Sequence, residues 1–550
     1  MLSPDGRCTV VTDRSSEPTS APVSVDFASV DEAVASGLLD GRRVVWWRAA
    51  AMVPLIARQP PPRVWDLAAV HRLVMGGSRD DDHAIWAARQ GLEAARAAPA
   101  ARADAGLPDL FAALEPDEVR SGVALPRAAG TSDWLRSTEH RALWARHALD
   151  IACWQHDRLA ERRGPFSAAT AESGAAMLCV ELGLDGLPVD RPVLEELIAA
   201  SAGARPQTED DAVRARRVRD ELVWRQVPGG RPVDLRNPGA VREMLRQAGV
   251  VVDDTRAWHL EPYRAGSPLV DALLTWRKAE RIATTYGWSW LAEFVGPDDR
   301  LRGAWDASDG GAGRMTAGSG LHSLPAPLRP GIAAEPGHVL VRADLGQIEP
   351  RVLAVVSRDP ALAEATRSDD LYAEIATDLS VDRPTAKVAM LAAMYGQTSG
   401  TAGQVLGRLE RTYPTAMAFL RSAAEAGERG EPVLTYGGRL VPVHVGPDDT
   451  TAQARGRGRF TRNAVVQGAA AEFFKAWALT VRAEVAPLRG RIVLCLHDEL
   501  LVHVPREAAD AAVEAVDSAL QNAARRWSGG APVRFVSDTG AFHRWSEAKG

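Results

Sequence analysis

The sequence predicts a protein of the mixed α/β (α+β) class that contains several domains. Strand-like apolar runs occupy His338–Asp344 and, near the end of the chain, Arg491–Val504, where two acidic residues separate two runs as in a β-hairpin. Other segments, such as Leu143–Leu159 and 351–430, carry apolar residues at helical spacing. A chain of 550 residues is too long for one compact core, so roughly three or four domains are expected.

The composition is that of an ordinary globular protein, with 46% hydrophobic and 25% charged residues, which excludes a fibrous or largely disordered chain. No segment approaches the ~20 uncharged apolar residues of a membrane-spanning helix, so no membrane partner is predicted. The four cysteines lie far apart without a CxxC pair, which disfavours a zinc ribbon or a disulfide framework and favours the cytoplasm. The net charge of −6 argues against uniform coating of nucleic acid but leaves room for a local basic channel.

The first 165 residues divide into a polar leader and an α/β region. Residues 1–23 lack the apolar core of a signal peptide and are predicted to be a disordered leader. Residues 24–165 are predicted to form a unit of their own. Its predicted elements are a strand at Arg43–Trp47, a strand entering a helix at Val64–Leu73, helices at Ala84–Ala98 and Leu143–Leu159, and a linker at Gly164–Ser167.

The next region is predicted to be mainly helical and charged. A helix at Glu172–Leu182 is expected to end at the Gly/Pro-containing segment Gly186–Asp190. Within the helical residues 191–290, the stretch Arg205–Arg246 holds ten arginines against seven acidic residues. Two interpretations of this stretch stay open, a solvated helical face and a clamp on a DNA backbone.

Two carboxylates and a cationic helix face are the candidate catalytic groups. Asp344 ends a predicted strand and Asp498 lies at the tip of the predicted hairpin, where an unpaired carboxylate would cost desolvation free energy. Arg383 and Lys387 lie one turn apart on one helical face, where an anion would relieve their repulsion. Capping aspartates and an amphipathic helix end are the alternative interpretations. Together the groups would suit Mg²⁺-assisted phosphoryl transfer, because carboxylate oxygens bind Mg²⁺ and the cations bind a polyphosphate.

Three sequence blocks resemble the motifs of family A DNA polymerases, the bacterial DNA polymerase I type. Asp344–Arg351, with the sequence DLGQIEPR, is similar to DYSQIELR of motif A. Arg383–Gly396 is similar to RxxxKxxxFxxxYG of motif B, and His497–Leu500 matches HDEL of motif C. Three shorter matches occur in the order typical of the family, at Gly313–Arg314, Tyr436–Arg439 and Asn463–Gly468. The resemblance covers residues 172–550.

The resemblance implies a right-hand polymerase fold over residues 166–550, with a thumb at about 190–300, fingers at about 352–430 and the palm in the remainder. It implies template-directed DNA synthesis, in which dNTPs are added to a primer 3′ end by two-metal phosphoryl transfer. The implied partners are primer–template DNA and dNTPs, and the implied cofactor is a pair of Mg²⁺ ions, which Mn²⁺ can replace. The implied protein is a monomer of the bacterial cytoplasm, associated with the nucleoid.

The resemblance also assigns roles to individual residues. The metal ligands would be Asp344, Asp498 and the Leu345 carbonyl, and the catalytic residues would be Asp344, Asp498, Lys387 and Glu499. The dNTP would contact Arg383, Lys387, Glu349, Gln347, Leu391 and Tyr395, with Glu349 as a steric gate against a 2′-hydroxyl. The DNA would contact Arg314, Arg351, Arg439, Arg459, Asn463, Gln467 and His497.

The chain departs from the family pattern around the sugar of the incoming nucleotide. Motif A has Leu345 for Tyr, Gly346 for Ser and Pro350 for Leu, and motif B has Leu391 for Phe or Tyr and Ala392 for Gly. The charged residues of both motifs are retained. These departures predict altered sugar selectivity and rate, with less effect on metal binding.

The N-terminal region resembles a ribonuclease H-like 3′–5′ exonuclease domain that has lost its metal ligands. Val44–Ala49 offers no Asp-x-Glu on the opening strand, Asp66 matches a helix-start residue, and Asp150 remains with Arg146 in place of the motif tyrosine. One carboxylate cannot hold two metals, so a degenerate domain is expected. A 5′-nuclease domain is expected to be absent, because the chain starts too late to contain one. Two alternatives remain, a catalytically weak DNA-binding structural protein and a polymerase that retains 3′–5′ exonuclease activity.

Overall fold

The computed structural model describes residues 1–12, 23–77, 79–92, 125, 129–162, 168–396 and 401–548, the last range without the side chains of 401–404. The chain forms two compact units. The first comprises Met1–Leu184, Trp305–Thr316 and Val341–Gly540, and the second comprises Asp185–Ala304, Ala317–Leu340 and Ala541–Gly550. Across these described ranges, no helix is long and apolar enough to cross a membrane.

The N-terminal part of the first unit combines strand pairs with helices. β1 (Cys8–Thr12) pairs antiparallel with β2 (Val23–Phe27), and β3 (Val44–Trp46) pairs parallel with β4 (Val64–Asp66). The helices are α1 (Val30–Ala35), α2 (Val53–Arg58), α3 (Leu67–Met75), α4 (Asp82–Gln90), α5 (Thr138–Ala160) and α6 (Ala169–Asp185). β1 lies inside the predicted disordered leader 1–23, so that prediction was wrong for residues 8–12, whose backbone groups pair with a neighbouring strand.

Most of the other predictions for this part agree with the structure where residues are described. The strands predicted around residues 44 and 64 are confirmed, and the helix predicted at Leu143–Leu159 lies within α5. The helix predicted at Ala84–Ala98 ends earlier, at Gln90, because Gly91 adopts a left-handed conformation with φ of 70° that closes the last turn. The predicted linker Gly164–Ser167 lies outside the described residues.

The second unit is mostly helical. It contains α7 (Arg191–Ala202), α8 (Glu209–Trp224), α9 (Pro238–Gln247), α10 (Ala257–Leu260), α11 (Pro268–Thr285) and α12 (Trp288–Phe294), and β5 (Leu187–Pro188) pairs with β6 (Arg300–Leu301). Arg236 lies 2.8 Å from the carboxylates of both Asp220 and Glu280, and Arg219 lies 3.2 Å from Glu280. Both carboxylates are buried, so these two arginines of the Arg-rich stretch have a structural role.

The remaining strands of the chain form small sheets and one larger sheet. They are β7 (Trp305–Asp309), β8 (Arg314–Ala317), β9 (His338–Leu345), β10 (Val433–Leu434), β11 (Leu440–Val441), β12 (Arg491–Leu496), β13 (Glu499–Pro505) and β14 (Ser537–Phe542). Four of these strands form a sheet in the order β12-β13-β9-β14. This order places the strand that carries Asp344 beside the hairpin that carries Asp498.

Most of the first unit that follows β9 along the chain is helical. They are α13 (Ile348–Ser357), α14 (Pro360–Ala365), α15 (Leu371–Leu379), α16 (Arg383–Tyr395), α17 (Thr401–Thr412), α18 (Pro414–Glu428), α19 (Thr451–Val485) and α20 (Ala509–Trp527). The helical prediction for residues 351–430 is therefore confirmed. Leu353, Met390, Leu420 and Val466 belong to one apolar core, which joins α13, α16, α18 and α19. This core holds the cationic face of α16 in a fixed place relative to α13 and α19.

Candidate active site

The two candidate aspartates lie at the ends of neighbouring strands. Asp344 is the penultimate residue of β9, and Asp498 lies in the two-residue connection between β12 and β13. The Leu345 amide donates a hydrogen bond of 2.9 Å to the Asp498 carbonyl. Both aspartates line one cavity of about 380 Å³. The structure thus brings together two residues that are remote in sequence.

The hairpin connection differs slightly from the prediction. The runs are joined at His497–Asp498, and Glu499 pairs with Leu496 as the first residue of β13. His497 has a φ of 56°, in the left-handed region that tight hairpin connections require. The shift moves Glu499 from the predicted tip into the sheet, where its side chain is buried.

The cavity gathers most of the candidate residues around the aspartates. Those that line it are Arg314, Asp344, Leu345, Gln347, Glu349, Lys387, Leu391, Gln467, His497 and Asp498. Tyr395 contacts this set through hydrogen bonds, and Arg383 lies on the same helix as Lys387, at its exposed start. Among the lining residues, Asp344 and Asp498 offer carboxylates and Lys387 of α16 offers a cation, which is what a metal-bound polyphosphate needs.

A hydrogen-bonded chain fixes the Glu349 side chain. The Tyr395 hydroxyl donates to Glu349 at 3.2 Å, and Gln467 Nε2 donates to the Tyr395 oxygen at 3.2 Å. Arg314 in turn donates to Gln467 Oε1. Burial raises the Glu349 pKa above its ordinary value, although the Tyr395 hydrogen bond and the Arg314 charge oppose this. Four candidate residues from four elements therefore form one network.

Sequence analysis missed Asp370, which holds Arg383. The Arg383 guanidinium lies 2.6 Å from the Asp370 carboxylate, and both side chains are about half exposed. Asp370 also caps α15, accepting a hydrogen bond from the Ala373 amide. Tyr372, which lines the cavity, lies 5.9 Å beneath the same guanidinium. An aspartate directly before an apolar helical run was a visible N-cap signal, but its contact with Arg383 was not.

Sequence analysis also missed Arg342, a buried cation among the carboxylates. Its Nε donates to Glu499 at 2.6 Å, Nη1 lies 3.2 Å from Asp538, and Nη2 donates to Asp344. Burial lowers the Arg342 pKa, but the Glu499 hydrogen bond and the three negative charges outweigh burial and keep the pKa above its ordinary value. The visible signal was an arginine inside an apolar strand two residues before Asp344, hence on the same strand face.

Comparison with known proteins identifies the family. A sequence profile described as DNA polymerase family A matches residues 242–547. The chain belongs to DNA polymerase family A. It is 29% identical over 321 residues to a thermostable DNA polymerase I from Thermus filiformis, covering 53% of this chain and 38% of that protein. It is 26% identical over 311 residues to DNA polymerase theta from Caenorhabditis elegans, covering 53% of this chain and 19% of that protein.

A solved structure extends the family assignment to the fold. The POL domain of Pol1 from M. smegmatis, in complex with DNA primer-template and dNTP, matches with a TM-score of 0.69 and 21% identity. The match covers 96% of this chain and 92% of that one. The predicted fold class of a family A polymerase is therefore confirmed. The chain spans less than two fifths of the length of the two curated relatives named above.

Two residues assigned to DNA contact are corrected by the structure. Arg351 is fully buried, and its guanidinium donates to main-chain carbonyls, including those of Thr366 at 2.7 Å and Arg534 at 2.6 Å. Arg439 is also buried and forms an ion pair of 2.8 Å with Glu172, which is itself fully buried. Neither side chain reaches the surface, so both serve the interior of this family A protein.

One departure from the family A motifs has a direct steric reason. A Cβ atom on Gly346 would lie 2.8 Å from Cγ2 of Val536, and the Gly346 amide donates to the Val536 carbonyl at 2.9 Å. The Val536 side chain therefore occupies the space that the Cβ atom of a serine would need. Leu391, in contrast, lines the cavity, is only partly buried and also packs against the apolar core, so its exchange alters the cavity wall directly.

The candidate carboxylates of the N-terminal region do not form a comparable pair. Asp66 caps α3 and accepts hydrogen bonds from the Ala69 amide at 2.8 Å, the Ala49 amide at 2.6 Å and Trp46 Nε1 at 2.9 Å. Asp150 forms an ion pair of 2.9 Å with Arg89 at the surface. The loss of exonuclease activity in this region stays a prediction, which these contacts support.

Proposed function

We propose that this chain is a DNA-directed DNA polymerase that adds dNTPs to a primer 3′ end on a template. The observation that carries the proposal is the meeting of Asp344 and Asp498 in one cavity with Lys387 and Glu349, in a chain of family A. A DNA-binding structural protein has no need to gather these charges, because they repel or cost desolvation at a site without substrate.

The donors at the ends of the inner strands fit a divalent metal. Asp344 and Asp498 offer carboxylate oxygens, and the Leu345 carbonyl belongs to the same strand end, which are the hard ligands that Mg²⁺ prefers. When bound, a pair of Mg²⁺ ions supplies positive charge that activates the primer hydroxyl and stabilises the pyrophosphate leaving group. The proposed ligands are therefore Asp344, Asp498 and Leu345, with Mn²⁺ as a substitute ion.

The helix α16 is proposed to bind the triphosphate. Arg383 and Lys387 are exposed on one face of it, and Arg383 must exchange its Asp370 partner for phosphate oxygens. Lys387 is proposed to give its proton to the pyrophosphate, which an arginine cannot do at neutral pH. Gln347, Glu349 and the partly buried Leu391 would surround the sugar.

The primer terminus is proposed to contact a second group of side chains, formed by Arg314, Arg459, Asn463, Gln467 and His497. Arg459 is exposed, and its aliphatic stem packs over Gly396 at the end of α16. Acceptors in the minor groove of every base pair would allow contact without sequence preference.

Primer extension tests the proposal. The parent protein is incubated with a 5′-labelled primer on a template, dNTPs and Mg²⁺, and elongation is the expected result. An unchanged primer would support a DNA-binding structural protein, and a shortened primer would support a retained exonuclease. Asp510→Asn, which changes an exposed aspartate outside the cavity, is the matched control for Asn substitutions of Asp344 and Asp498. This control should extend the primer like the parent.

A further inference from the structure

Arg342 holds a position that the proposed chemistry does not use. Its side chain is 4% exposed and ion-paired with Asp344, Glu499 and Asp538, one of which is a proposed metal ligand. An arginine stays charged at any physiological pH, and its planar fork holds several oxygens at once. The cation is therefore a permanent part of the site.

The position of Arg342 makes it a competitor for metal. It precedes Asp344 by two residues on β9, so both side chains leave the strand on one face. Its Nη2 donates to Asp344 Oδ2, while its Nε holds Glu499 Oε1 at 2.6 Å. A divalent cation that binds Asp344 would lie close to the fixed positive charge of the Arg342 guanidinium. Coulomb repulsion at such short range weakens binding unless further negative charge enters.

We propose that Arg342 is a positioning residue that holds Asp344 and Glu499 and keeps the affinity of the nucleotide-free protein for divalent metal low. The triphosphate brings the negative charge that compensates the guanidinium, so metal and nucleotide bind together. This last step rests on the proposed function, whereas the low affinity of the free protein does not.

Mn²⁺ binding to the DNA-free and nucleotide-free protein tests the proposal. Free Mn²⁺ is followed by its electron paramagnetic resonance signal during titration. Arg342→Gln should bind Mn²⁺ at least about tenfold more tightly than the parent, because one fixed positive charge is removed at close range. Adding Asp344→Asn to Arg342→Gln should abolish the gain, which assigns it to this site.

Arg489→Gln is the matched control. It removes one arginine charge from an exposed ion pair with Glu507, away from the cavity, and should leave Mn²⁺ affinity unchanged. Arg342→Lys keeps the charge but not the fork, and should show a smaller gain than Arg342→Gln. Thermal melting with and without Mn²⁺ gives a second readout, in which Mn²⁺ should stabilise Arg342→Gln more than the parent.

An Arg342→Gln protein that is folded and binds Mn²⁺ no more tightly than the parent would overturn the proposal. If Arg342→Gln does not fold, Arg342→Met, which also removes the charge and fills a buried position, decides, and an unchanged affinity in that variant overturns it. Primer extension by the parent is measured separately. A parent that fails to extend, combined with tighter Mn²⁺ binding by Arg342→Gln, contradicts the proposed function and leaves the role of Arg342 in the free protein standing.

Discussion

Carboxylates at strand ends have opposite fates in two regions of this molecule. In the N-terminal region, Asp66 is the last residue of β4, and its carboxylate oxygens accept hydrogen bonds from two backbone amides and an indole N–H. In the four-stranded sheet, Asp344 lies at the end of β9, Asp498 directly precedes the neighbouring strand β13, and both line one cavity together with Lys387. A carboxylate at a strand end is therefore a candidate metal ligand when a second carboxylate lies at the end of the neighbouring strand. A further condition is that nearby backbone amides do not occupy the carboxylate oxygens.

The largest expected effect comes from the aspartates of the sheet. Asp344→Asn or Asp498→Asn should reduce primer extension by at least about a thousandfold, because the charge that collects Mg²⁺ is lost while the shape is kept. Single-turnover incorporation measures the effect. Extension near the parent rate by either variant would contradict the assignment of the sheet aspartates as metal ligands, which is what distinguishes them from Asp66.

The N-terminal aspartate should affect stability instead. Asp66→Ala leaves three buried donors without an acceptor and should cost about 3 kcal/mol, seen as a lower melting temperature of the folded protein. Exposed Asp31→Ala provides a control with little expected change. An equal melting temperature for Asp66→Ala and the parent would show that the cap is dispensable.

The same residue predicts a pH dependence with a definite sign. Burial raises the Asp66 pKa from 3.8 to about 6, although its hydrogen bonds oppose the shift. The folded state therefore keeps a proton that the unfolded state has already lost, and stability falls as pH rises from about 4 to about 6. Asp66→Asn should lack this decline, so the melting temperatures of parent and variant are compared across that range. A constant difference would contradict the raised pKa.

Two substitutions test the proposed contacts between the cavity and the sugar of the incoming nucleotide. Glu349→Ala should raise rNTP use relative to dNTP by at least about tenfold, which equals a lost steric contribution of ~1.4 kcal/mol. Leu391→Phe should tighten dNTP binding by about 1 kcal/mol if the cavity accepts the ring, since an aromatic face adds dispersion contacts. Single-nucleotide incorporation over a range of concentrations measures both. An unchanged rNTP/dNTP ratio in Glu349→Ala would place sugar selection on other residues.

The smallest expected effect concerns Asp150. A mismatched primer with Mg²⁺ or Mn²⁺ and no dNTP should stay at full length, and Asp150→Asn should change nothing, because a single surface carboxylate paired with Arg89 does not assemble a two-metal site. If the parent shortens the primer and Asp150→Asn abolishes this shortening, the N-terminal region is an active exonuclease and the prediction is wrong.

The sequence alone determined the features that depend on local pattern. Short apolar runs predicted β9 and the hairpin β12–β13, and four-residue spacing placed Arg383 and Lys387 on one helix face. Motif order predicted the family and the pairing of Asp344 with Asp498. These features follow from neighbouring residues or from short motifs, which a chain displays before it folds.

Only the tertiary structure decided which charged side chains face inward. Arg351 and Arg439 match their motifs as well as Arg314 does, yet their partners are carbonyls and a carboxylate that come from distant segments. Arg342 meets Glu499 only because β13 pairs beside β9, and strand order arises from hydrogen bonds between remote segments. Burial and ion pairing depend on the whole chain, because desolvation of a charge is offset by partners that local sequence does not contain.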